Sequence, residues 1–164
     1  MTRPPPGPWG DAMALPPKRR QVRWWILGLL FSVTVINFID RQTLSVLAPL
    51  IRQTFHLSNT DYGTIVSWFQ TGMVVGEFPM GWLMDRAGVR FGLAFAVGWW
   101  SFGNGLHAIA GSLGEFRLLR FWLGTGECGN YSGGNKVVAH WFPVKERALA
   151  IGIFNSASMI GSFI

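Results

Sequence analysis

The sequence predicts an all-α, membrane-spanning protein, and three observations carry that prediction. Apolar residues make up 49% of the chain and charged residues 13%, about half the ~25% usual in soluble domains. The apolar residues gather into long blocks, roughly 24–51, 62–84, 89–111, 118–142 and 148–164, rather than into alternating runs. Basic residues collect in the head and in every second connection. Each of the first four blocks reaches the ~20 residues that cross a ~30 Å hydrocarbon core. The fifth runs to Ile164 with no stop signal. Four complete spans and most of a fifth are expected, as the opening part of a longer helical protein.

The net charge of +6 raises the question of nucleic-acid binding, but its placement argues for topology. Five of the fourteen Lys/Arg residues precede the first span: Arg3, Lys18, Arg19, Arg20 and Arg23. Arg86 and Arg90 follow span two, and Lys145 and Arg147 follow span four, while the other two connections carry Arg52, and Arg117 with Glu115. That alternation places the N-terminus in the cytoplasm of a multi-pass protein of the cell inner (plasma) membrane. Residues 1–21 read as a proline-rich, basic, disordered tail, and 22–164 as an incomplete transmembrane domain. The first block is too long for a cleaved signal peptide. With one cysteine and three separated histidines, no disulfide, metal-ligand spacing or cofactor site is expected.

Span one holds the least expected pair, Asp40 and Arg41, with Asn37 one turn earlier. An ionisable group near a bilayer centre costs roughly 2.5–3.5 kcal/mol even on lenient scales, so it belongs where it faces protein or a polar cavity. Adjacent helical residues point about 100° apart, so the two need separate partners. The turn HLSNTD at 56–61 offers Ser58, Asn59, Thr60 or Asp61 as a helix cap. Span two is dotted with glycines and carries Glu77 and Pro79, which suggests close helix packing and a kink. Past Arg90 at its start, span three has no ionisable group but His107, and its mid-span Trp99 and Trp100 call for packing rather than interface anchoring. It is expected to be the most lipid-exposed of the set.

Span four combines Gly124, Gly126, Gly129, Gly133 and Gly134 with Arg120, Glu127, Asn130, Asn135 and Lys136. In water such a helix would be poor, since each interior glycine costs ~1 kcal/mol against alanine. In a membrane bundle the same residues allow close contact and face inward. Arg120 and Glu127 are seven apart, on one face and ~10 Å apart along the axis. Gly124 to Gly129 also fits G-x-G-x-x-G, a dinucleotide pattern that requires a preceding strand, and no alternating strand is present. A soluble nucleotide-binding oxidoreductase is therefore the remote reading.

The segment GWLMDRAGVR at 81–90 resembles the loop 2–3 motif of the major facilitator superfamily, G-x-x-x-D-R-x-G-R-R, with Val89 as the departure. Within that superfamily three further stretches resemble the anion:cation symporter family: NFIDR at 37–41, Arg120-x3-Gly124-x-Gly126-Glu127, and WFPVKER at 141–147. The resemblance covers about 22–164, with hexuronate and aldonate transporters as the nearest members. Ser132-Gly133 departs from a proline often found there.

The resemblance implies helices 1–4 and most of 5 of a twelve-helix transporter, completed by a missing C-terminal half. It implies proton-coupled (or sodium-coupled) symport of an organic anion such as a hexuronate or other sugar acid, with no enzyme activity. Arg41 and Arg120 would bind the substrate, because the planar guanidinium pairs bidentately with carboxylates. Asp40 and Glu127 would carry the proton, since burial and a neighbouring arginine act on such a carboxyl in opposite directions. Gly81, Asp85, Arg86, Gly88 and Arg90 would form the conformational gating motif, with Asp85 meeting a helix N-terminus and the arginines making breakable ion pairs. Asn37, Glu77 and Asn130 are secondary cavity candidates. The alternative is a receptor or assembly subunit on the same scaffold that does not transport.

Overall fold

The computed structural model describes residues 17–163, with side chains from residue 21 onward. Five helices follow in order: α1 (Pro17–Thr54), α2 (Asn59–Ala87), α3 (Val89–Leu106), α4 (Leu113–Trp141) and α5 (Val144–Phe163), with one 3-10 turn at His107–Ile109. Among the described residues there is no strand. Each expected apolar block becomes one helix. The expected tail, 1–21, lies outside the described residues as far as residue 16, and α1 begins at Pro17.

α1, α2, α4 and α5 start before their apolar blocks, and α3 stops at Leu106, short of 111; caps at Ser58 and Ser112 set the starts of α2 and α4. Ser58 caps α2 with a full capping box: its hydroxyl accepts the Asp61 amide at 3.1 Å, and the Asp61 carboxylate accepts the Ser58 amide at 3.2 Å. The Ser58 hydroxyl and amide, with Arg117 beyond them, hold the Asp61 carboxyl below the usual carboxylate range. Ser112 caps α4 by accepting the Glu115 amide, so α4 starts at Leu113 rather than at 118. A single residue, Gly88, joins α2 to α3; its φ of 87° lies in the region glycine alone enters freely. α2 continues through Pro79 as one helix.

Helix α4 is the hub and packs against all four other helices, most extensively against α2 and α3, while α1 pairs with α5. Glycine makes the α2–α4 approach possible. A Cβ at Gly76 would lie 2.6 Å from the Thr125 Cα, and one at Gly124 would lie 2.9 Å from the Met73 amide and on the Phe69 carbonyl oxygen. Gly126 faces Trp99 and Trp100, while Gly129 faces Met80 and Ala96. Trp100 is buried, and Trp99 stacks on Trp122 with ring centroids 4.1 Å apart. Both tryptophans pack, as the sequence suggests. Gly124→Leu is therefore expected to destabilise the bundle at or above the top of the ~1–3 kcal/mol range for overpacking. Gly98→Leu, where nothing lies within 4 Å, should be tolerated. Thermal unfolding of the two variants in detergent makes the comparison.

Polar and charged residues are buried beside the apolar core, and large apolar residues cover the outside. Thr34, Asn37, Arg120, Glu127 and Asn130 are buried, while Val74 (77% exposed), Phe78 (82%), Phe102, Leu118 and Ile160 face outward. Among the described residues only α1, over Gln21–Thr54, is both long and apolar enough to cross a membrane when hydropathy is averaged along the chain. That falls short of the four complete spans expected. Averaging hides the reason in α4, whose Arg120, Glu127, Asn130 and central glycines point into the bundle, and in part in α2, where Gly72 and Gly76 face inward while Val74, Val75 and Phe78 face outward. Their 29 residues each span about 44 Å, enough for a ~30 Å core.

Candidate functional site

One face of α1 is buried at Arg23, Leu27, Leu30, Thr34, Asn37 and Leu44, alternating steps of three and four residues. Arg41 continues that stripe. Two contacts set the register against the antiparallel α4: Asn130 Nδ2 donates to Thr34 Oγ1 at 3.1 Å, and Arg41 Nε donates to Glu127 Oε2 at 2.6 Å. The buried charges of the two helices thereby meet.

Glu127 is fully buried and Arg41 keeps 21% of its side-chain surface. Arg41 is gripped by aromatic faces on two helices, with its guanidinium carbon 4.8 Å from the Phe38 ring centroid and 5.4 Å from that of Phe69. Asp40, one residue away, turns elsewhere: its polar neighbours include Asn104 on α3 and Arg120 on α4. The pair thus has separate partners, as its helical geometry requires. Arg120 is 5% exposed and makes no salt bridge within 4 Å among the described residues.

Several polar atoms here have no hydrogen-bonding partner among the described residues: Arg41 Nη2, Arg120 Nε, Glu127 Oε1, and both side-chain polar atoms of Asn37. Buried polar groups are ordinarily paired. A cavity of about 250 Å³ lies against it, lined by Phe38, Arg41, Gln42, Leu44, Ser45, Tyr62, Val66, Phe69, Gln70, Arg120 and Ser162. It lies just below the ~300–1,000 Å³ typical of small-molecule sites. Two arginines stand in a wall of amides, hydroxyls, aromatic rings and the aliphatic Leu44 and Val66. That composition suits an anion carrying hydroxyl groups.

The secondary candidates do not line this cavity. Asn37 and Asn130 are buried behind it in the α1–α4 seam, and Glu77 lies on the exposed face of α2. Sequence reasoning did not find Tyr62, Gln42, Gln70 and Ser162. They are single polar residues on three different helices, and only the register of those helices brings them together.

The gating motif is arranged differently from expectation. Asp85 pairs with Lys136 of α4 at 2.5 Å, and the same ammonium donates to the Gly81 carbonyl at 3.2 Å, so no helix N-terminus receives the acid among the described residues. Arg86 lies over Trp82, 5.1 Å from the ring centroid, and neither Arg86 nor Arg90 makes an ion pair there. Exposed arginines gain little from pairing across water, and Lys136 reaches the acid first. Arg23 also departs from its reading as a topological charge. It is 4% exposed, pairs with Glu146 at 2.6 Å and stacks over Phe142. Arg147 donates to the Phe142 and Ala139 carbonyls, closing the C-terminus of α4. The WFPVKER segment therefore locks α1, α4 and α5 together at one end.

The nucleotide pattern fails on structure. Gly124–Gly129 lies inside continuous α4, its glycines occupied by helix contacts and preceded by no strand. Comparison with known proteins agrees. The chain is 40% identical over 150 residues to a probable galactarate/D-glucarate transporter of Pseudomonas putida, covering 86% of this chain and 32% of that protein. It is 31% identical to the hexuronate transporter of Escherichia coli (strain K12), covering 90% and 34%, and 31% identical to the galacturonate transporter of Dickeya chrysanthemi, covering 90% and 43%. The chain thus spans about a third of the length of the first of these relatives. A crystal structure of a bacterial homolog of the human lysosomal transporter Spinster superposes with a TM-score of 0.80 at 29% identity, over 85% of this chain and 29% of that one. Residues 30–164 match the family profile described as Major Facilitator Superfamily, and the chain belongs to that superfamily of membrane transporters.

Proposed function

We propose that the full-length protein containing this chain is a proton-coupled symporter of sugar acids. The observation that carries this reading is the α1–α4 site, where Arg41 and Arg120 face a hydroxyl- and amide-lined cavity and Arg41 is ion-paired to fully buried Glu127. The names of the relatives, transporters of galactarate and glucarate, hexuronate and galacturonate, support it. The chemistry follows from competition for one guanidinium. An ionised Glu127 occupies Arg41; a protonated Glu127 releases it to a substrate carboxylate. Proton and anion then favour each other's binding, which is reciprocal coupling between two ligands. Arg120 takes a second oxygen of the anion, and Asp40 adjusts the local charge. The Asp85–Lys136 link and Gly88 act as the breakable connection through which the helix bundle rocks.

Uptake by cells expressing the full-length gene tests the reading. Labelled galactarate or galacturonate should accumulate and a neutral hexose should not; uptake of the hexose alone would reject it.

The alternating Lys/Arg placement supports a topology in the inner membrane with the N-terminus and loops 84–90 and 140–148 in the cytoplasm, and loops 52–61 and 111–117 outside. Alkaline phosphatase fused after Asn59 should be active and a fusion after Gly88 inactive. The reverse pattern overturns the orientation. The 164-residue chain in liposomes should show no substrate-dependent uptake above empty vesicles, because alternating access needs a second unit to rock against.

A further inference from the structure

Arg41 is held in two ways, and the transport reading uses only one of them. Its Nε donates to Glu127 Oε2 at 2.6 Å, and it makes no other ion pair among the described residues. The second hold is aromatic. The guanidinium carbon lies 4.8 Å from the Phe38 ring centroid and 5.4 Å from that of Phe69, both within the ~6 Å at which a ring face attracts a cation. Phe38 stands on the same helix as Arg41 and moves with it. Phe69 belongs to α2 and is fixed independently of α1. A Cβ at Gly124 of α4 would lie on the Phe69 carbonyl oxygen, so α2 and α4 are in backbone contact at this point. Glu127 follows on α4, within one turn of Gly124. The Phe69 ring therefore ties Arg41 to the same α2–α4 wall that carries its ion-pair partner.

The two holds respond differently to a proton on Glu127. The ion pair exists only while that carboxylate is ionised, whereas attraction to a ring face does not depend on it. Once Glu127 is protonated, a side chain as long as arginine, with 21% of its surface exposed, gains rotamers, and ordering it again for a ligand costs affinity. We propose that Phe69 is a positioning residue, which keeps the Arg41 guanidinium at the cavity wall between loss of the ion pair and arrival of the substrate carboxylate. Both residues line the cavity, and Arg41 Nη2 has no hydrogen-bonding partner among the described residues. Phe69 is 8% exposed and belongs to the apolar core, so its ring offers a substrate little surface on which to stack. It acts on the substrate through Arg41. The proposal rests on the reading of Arg41 as a substrate-binding residue.

The test replaces Phe69 of the full-length protein by phenylalanines with progressively more ring fluorines. Fluorine drains the negative ring face and changes shape little, so it weakens the hold on a cation while packing is nearly kept. KM and maximal rate for labelled galactarate uptake are measured across the series. KM should rise stepwise, to about threefold to tenfold at three fluorines, with the maximal rate within about twofold. The same series at Phe154, which packs in the apolar cluster beside Gly134, should leave KM unchanged. A flat KM at Phe69 overturns the proposal, as does an equal rise at Phe154. If the fluorinated protein does not reach the membrane, Phe69→Tyr against Phe69→Leu makes the comparison. The tyrosine variant keeps a ring face and should stay near the wild-type KM, and the leucine variant should not; equal KM in the two overturns the proposal. Arg41→Gln is run alongside. An unchanged KM there rejects the underlying reading of Arg41, whereas a raised KM there with a flat series at Phe69 rejects the role of Phe69 alone.

Discussion

Arg120→Lys is expected to raise the apparent KM for the sugar acid by about 10- to 100-fold while positive charge is retained. The lost interaction is one charge-assisted hydrogen bond of the guanidinium fork, worth roughly 1.5–3 kcal/mol, and each 1.4 kcal/mol is about tenfold. Arg120 lines the cavity, is 5% exposed, and has an Nε with no partner among the described residues. Its fork is therefore available to a ligand instead of being spent on a structural ion pair. Lysine places a compact ammonium on a flexible stem and cannot reproduce that planar contact. Arg117→Lys is the control, since Arg117 pairs with Asp61 and Thr64 at the helix ends and not in the cavity. Initial rates of uptake over a range of substrate concentrations decide it. An unchanged KM in Arg120→Lys would remove Arg120 from the binding site.

Much of this architecture is legible in the residues because the membrane forces it. Long apolar blocks have one economical structure in lipid, so five blocks become five helices. Charges inside such blocks must face protein, which is why Asp40, Arg41, Arg120 and Glu127 could be grouped before any contact was known. Their helical spacing also separated the partners of Asp40 and Arg41. The local pattern narrowed the cap of α2 to residues 58–61, and Ser58 is the one that caps it.

What stayed hidden depends on register between distant segments. Arg23 reads as one more basic residue of the head until Glu146, far along the chain, is brought to it. The partner of Asp85 is chosen by which cation the packed helices place nearest, and that is Lys136 rather than a flanking arginine. The glycines of α4 advertise close packing without saying against what; each turns out to face a different neighbour. The aromatic grip on Arg41 joins Phe38 of its own helix to Phe69 of another, and only Phe38, three residues earlier, is visible from spacing. Helix boundaries also escaped, because block edges followed hydropathy and the caps at Ser58 and Ser112 did not.

The central claim is that the buried α1–α4 pair couples a proton to the anion, and Glu127→Gln tests it most directly. The amide mimics the protonated carboxyl and leaves Arg41 without its 2.6 Å ion pair. Removing one partner of a buried pair often costs about 3–5 kcal/mol, but Arg41 keeps 21% of its surface and borders the cavity, where solvent or substrate can compensate. The variant should therefore fold. Uptake driven by an imposed pH gradient is measured beside counterflow with no gradient, in vesicles containing the full-length protein. One coupled proton can drive about tenfold accumulation per pH unit. The account predicts that Glu127→Gln loses that accumulation and only equilibrates substrate, while counterflow persists. Accumulation at the wild-type level would contradict it and move the coupling role to Asp40.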